Sequence, residues 1–66
     1  MAMFNFMMAG CGIPQALEVR LENLLALGDQ ILAEPFVAAE TPPDEYGQVR
    51  RVLVRTSRIL MVSEAD

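Results

Sequence analysis

A small, mainly α fold is what this sequence predicts: a helical hairpin preceded by an apolar N-terminal arm. Three observations lead there. Leu17, Leu21, Leu24, Leu25, Ile31 and Leu32 recur at helical spacing across residues 13–34. Val49, Val52, Leu53, Thr56, Ile59 and Leu60 fit the same template across residues 44–64. Between them Pro35, Pro42 and Pro43 stiffen a connector over 35–43. The alternative is α+β, with one helix followed by a β-hairpin from residues 49–62, because that stretch is rich in valine and β-branched residues favour strands.

In chain order, residues 1–12 form the arm. They carry no charged side chain, and Met3/Met7 and Phe4/Met8 sit four apart, as in a short helix or an adaptable apolar tail. Gly10-Cys11-Gly12 breaks any regular element. The remainder, 13–66, reads as a single small domain. Pro14 suits a first helical turn, where its missing N–H costs nothing. Glu18, Glu22 and Asp29 line an acidic stripe beside the leucines. Gly28 either ends the helix or admits a neighbouring backbone closely, and the phase of Ile31 and Leu32 favours a helix continuing to Glu34, ahead of Pro35. Asp44, after the prolines, is a competent N-cap for the second helix. On that helix Arg51, Arg55 and Arg58 share the face opposite the apolar stripe, as a solvated face, a partner for the acidic stripe or a phosphate site.

With 66 residues, the chain has room for one marginal core. Small scaffolds are commonly reinforced by disulfides, a metal or a partner chain. Cys11 is the sole cysteine and there is no histidine, so neither an internal disulfide nor a cysteine–histidine zinc set can form within one chain. The apolar fraction of 53% exceeds the globular norm of about 45–50% and opposes disorder of the whole chain. Net charge is −4, which opposes nucleic-acid or anionic-membrane binding. Residues 1–46 hold seven acids and one arginine, whereas 47–66 hold four arginines and two acids, so head-to-tail or intramolecular pairing is available.

The uncharged N-terminus is too short and too interrupted by Asn5, Gly10, Gly12, Pro14 and Gln15 to span a membrane, and it lacks the basic start of a secretory signal. Met8-Ala9-Gly10-Cys11 resembles the lipobox of bacterial lipoproteins. That resemblance implies acylation of Cys11 after cleavage, though only a few apolar residues precede it here.

Catalysis has little material. Histidine and lysine are absent, and Glu34, Glu40, Asp44, Glu45 and Tyr46 around the connector are the best acid–base candidates. The expectation is a non-enzyme without cofactor or metal: a structural or adaptor subunit of a larger assembly, such as a minor virion protein or an accessory subunit. Its partners are then other protein subunits, with no nucleic acid, no small-molecule substrate and no membrane. A soluble setting, intracellular or inside an assembly, goes with that reading. The partner-binding residues expected are Met3, Phe4, Phe6, Met7 and Met8 on the arm, with Leu17, Leu21, Leu24, Leu25, Gly28, Ile31 and Leu32 on the helix. Two other classes fit the composition: a self-associating acidic regulator of antitoxin type, and a membrane-associated lipoprotein-like peptide.

Overall fold

The computed structural model describes residues 2–65. It overturns the helical hairpin. Five strands form one antiparallel sheet: β1 (Ala2–Met8), β2 (Gln15–Val19), β3 (Phe36–Glu40), β4 (Arg51–Arg55) and β5 (Ile59–Glu64). One helix, α1 (Leu24–Ala33), joins β2 to β3, and a 3-10 turn over Thr56–Arg58 joins β4 to β5. The spatial order is β4-β3-β2-β1-β5, so the first strand lies inside the sheet and the fourth and fifth lie at its edges.

Each expected element is corrected for a physical reason. The arm over 1–12 becomes β1, because Phe4 and Phe6 are two apart and both point into the core, which is strand spacing. Gly10 then turns the chain with φ +86, a conformation costly for any side chain, while Cys11 N–H donates to the Met8 carbonyl. The helix over 13–34 splits. Its start, Leu17 and Val19, alternates with Glu18 on β2, and the helix begins only after Asn23. The Asn23 Oδ1 accepts from the Ala26 N–H at 2.9 Å, satisfying an orphan donor of the first turn. At the other end Glu34 N–H donates to the Gln30 carbonyl, just before Pro35.

The second helix over 44–64 is absent. Asp44 does cap, but it caps a turn: its Oδ1 accepts from the Tyr46 and Gln48 N–H groups, and Gly47 at φ +77 completes the reversal. The alternative hairpin over 49–62 does not form either, since β4 pairs with β3 and β5 pairs with β1.

The two edge strands explain the shape of the molecule. Neighbours alternate in direction along the order, so β4 and β5 run the same way, and three residues must carry the chain from the end of one to the start of the other. In a flat sheet that journey is about 19 Å sideways, four inter-strand spacings, and about 17 Å back along a strand. Four Cα steps reach at most about 15 Å. The sheet therefore coils into an open barrel in which β5 continues near where β4 stops. Thr56 pins the junction: its N–H donates to the Pro35 carbonyl and its Oγ1 to the Glu34 carbonyl at 2.8 Å.

Inside the curl lies the core: Phe4, Phe6, Leu17, Val19, Val37, Ala39 and Val54 from the sheet and Leu27 from α1. Leu24 and Ile31 flank Leu27 on the same helical face and are half-buried. Among the described residues no buried side chain is polar or charged, so the interior is held by apolar burial of about 1.5–3 kcal/mol per large side chain.

Candidate interaction surface

The expected partner-binding residues separate into three groups. Phe4, Phe6 and Leu17 are consumed by the core and present nothing to a second molecule. Met3, Met7, Met8, Leu21, Leu24, Gly28 and Ile31 are half-buried. Leu25 and Leu32 stand free, 82% and 89% exposed, seven residues apart on the outer face of α1. Gly28 brings no backbone close, since a Cβ built there would meet nothing within 4 Å.

Sequence reasoning missed further exposed apolar residues on the two edge strands. On β4 the side chains of Arg51, Leu53 and Arg55 face outward, with Leu53 69% exposed, and on β5 Leu60 and Met61 are 69% and 62% exposed. The signal was Arg-Val-Leu-Val-Arg, a short β-branched apolar run, Val52 to Val54, bracketed by Arg51 and Arg55. Leu60 is exposed for a local reason. The β1–β5 register slips between Met7↔Met61 and Met8↔Ile59, leaving Leu60 as the extra residue of a bulge.

Between β2 and β3 the sheet is loosest. One residue pair, Glu18↔Glu40, defines their register, whereas β1–β2 and β3–β4 are each paired at five positions. The strands splay there into a groove of about 600 Å³. Val19, Ala39 and Val52 line it from the core side, with Glu18, Arg20, Glu40 and Arg51 among its polar lining. Arg51 Nε approaches Glu40 Oε2 at 3.9 Å with an 86% exposed side chain, a contact worth about 0–1 kcal/mol. The Arg55 guanidinium lies 5.8 Å from the centroid of the Phe36 ring, within cation–π range.

Arg51 and Arg55 thus share a face, as expected of them on a helix, but Arg58 sits in the 3-10 turn. The acidic stripe is dispersed: Glu18 lies on β2, Glu22 precedes α1 and Asp29 lies on α1. Of the connector acids, Glu40 ends β3 beside the groove, Glu34 caps α1, and Asp44, Glu45 and Tyr46 occupy an exposed turn. No group of three or more histidine, cysteine or acidic side chains comes together as a metal site among the described residues.

Cys11 is exposed beyond the end of β1. Cleavage before it, as the lipobox resemblance implies, would remove β1 and with it Phe4 and Phe6. No helix among the described residues is long and apolar enough to cross a membrane. No protein-family model, curated protein or solved structure matches the chain.

Proposed function

We propose that this chain is a non-enzymatic interaction module, a structural or adaptor subunit that docks other proteins through its outer surface. One observation carries the reading. Leu25, Leu32, Leu53, Leu60 and Met61 are each more than three-fifths exposed although an apolar core is already complete beneath them. Exposed apolar residues scattered singly mean little, but here they stand in pairs or alternate with arginine on regular elements. The N-terminal segment supports the fold in this reading rather than acting as the anchor, because β1 is an interior strand.

The test replaces Leu25, Leu32 and Leu53, one at a time, by a photoreactive amino acid in the full chain, expressed in the cells that make it. Irradiation is expected to join at least one of these positions to a defined protein at near-stoichiometric yield, while the same group at Glu45 or Ser57 gives none. A folded chain that stays monomeric in those cells, without cross-links from any of the three, overturns the proposal.

A further inference from the structure

The free edge of β4 is the most specific feature of the outer surface. β4 pairs with β3 alone. At one end of that ladder Thr41 N–H donates to the Arg50 carbonyl, and at the other Thr56 N–H donates to the Pro35 carbonyl. Antiparallel pairs alternate between hydrogen-bonded and non-bonded. The bonded pairs between those ends are therefore Ala39–Val52 and Val37–Val54. The N–H and C=O groups of Arg51, Leu53 and Arg55 consequently point away from β3. None of them has another hydrogen-bond partner among the described residues.

We infer that this edge accepts an extended acidic segment of another protein as an added antiparallel strand. The inference rests on the interaction-module reading and names its partner's chemistry. A strand added here bonds to the main chain of Arg51, Leu53 and Arg55, and the residues opposite those three lie on the same outer face. The matching pattern is acidic, any, apolar, any, acidic. Its acids meet Arg51 and Arg55, and its central apolar side chain covers Leu53. Residues 46–63 hold four of the five basic side chains of the chain and no acid; across from β4, Glu40 faces Arg51 at 3.9 Å, while Arg55 faces the uncharged Phe36. Phe36 already holds the Arg55 guanidinium over its ring, which restricts the side chain before any partner arrives.

A second copy of the chain is the poorer occupant. The two-fold register that pairs all five residues of β4 with themselves centres on Leu53 and sets Arg51 opposite Arg55 of the other copy, twice. Like charges directly opposite are destabilising. The same arginines that select an acidic strand thus discourage self-association of the edge.

The probe is the capped peptide Thr-Asp-Val-Leu-Val-Asp-Thr, titrated into the 15N-labelled full chain, with a control in which both aspartates are lysine. Expected are amide shift changes centred on Arg51, Leu53 and Arg55, slower hydrogen exchange at those amides, and binding roughly tenfold weaker for the lysine peptide. Reversing both arginines, R51E with R55E, should invert the peptide preference. Leu53→Pro removes a donor that faces solvent, so it should leave the spectrum folded and abolish binding. No shifts up to millimolar peptide, equal response to the two peptides, or shifts without slowed exchange would each overturn the inference. If the peptide fails while photo-cross-linking still joins Leu25 or Leu32 to a protein, only the β4 site falls. Loss of both removes the module reading as well.

Discussion

β1 and β4 are built alike and placed differently. Each turns alternate apolar side chains inward, Phe4 and Phe6 on one, Val52 and Val54 on the other. β1 lies between β2 and β5, and its Asn5 faces Ala16 on one side and Ser63 on the other. β4 has β3 on one side and solvent on the other. The interior strand carries no charge along its length, while the edge strand begins and ends with arginine. What this teaches is that an uncharged segment need not be an anchor or a membrane element. It is equally what a strand looks like when both its neighbours are supplied by its own chain, whereas on β4 an arginine at each end guards the side that has none.

The comparison can be broken most severely by a proline pair. The Asn5 N–H and C=O face β5, since Ala65 N–H donates to the Met3 carbonyl and bonded pairs recur every second residue. Asn5→Pro removes a ladder bond inside the sheet and should leave the chain unfolded at 25 °C by circular dichroism, whereas Leu53→Pro should remain folded. Next in size is Phe6→Ala, which should cost about 3–5 kcal/mol. That approaches the whole stability of a chain this short, roughly 3–10 kcal/mol, so urea unfolding should show most of its pre-transition baseline lost.

The helix gives a smaller contrast of the same kind. Leu27→Ala should cost about 2–5 kcal/mol in urea melts, against less than about 0.5 kcal/mol for Leu25→Ala on the opposite face. Opposite in sign is Gly28→Ala. The space for a methyl group is open, so helix propensity alone decides, and the melting temperature should rise with about 0.8–1 kcal/mol of added stability. Asn23→Ala should lower it by about 1 kcal/mol through loss of the cap.

Legibility in the sequence follows the same line between local and long-range causes. The helix stop before Pro35 and the turn at Gly10 are written in single residues whose chemistry is local. The phase of the leucines is not. Counting from Leu17 gives a helical face containing Leu25 and Leu32, both exposed, and omits Leu27, which is fully buried. Counting from Leu24 gives Leu24, Leu27 and Ile31, the face that packs. The error enters because Leu17 belongs to a strand, and the one local sign of the change of period is the N-cap residue Asn23.

Residues 49–62 mislead for a related reason. β4 turns its even positions inward, Val52 half-buried and Val54 buried; a 3-10 turn then leads to Ile59, and the bulge at Leu60 separates Ile59 from Val62 on β5. No single alternation runs through such a segment, and a period near 3.6 fits the average of two strands out of phase. As for the candidate surface, Leu25 and Leu32 were recognisable as apolar but not as exposed. The free edge of β4 depends on the order of strands across the sheet, which only the assembled fold decides.

The pairing of β1 with β5 also has a consequence in time. The strand made first waits more than fifty residues for one of its two neighbours, and non-local pairing of this kind slows folding. During synthesis, and in any state where β5 has frayed, Met3–Met8 presents a six-residue stretch with no charge and no proline along an open edge. Such stretches are prone to pair with copies of themselves. The least protected moment in the life of this molecule therefore precedes its completion, and the strand at risk is one that later lies inside the sheet.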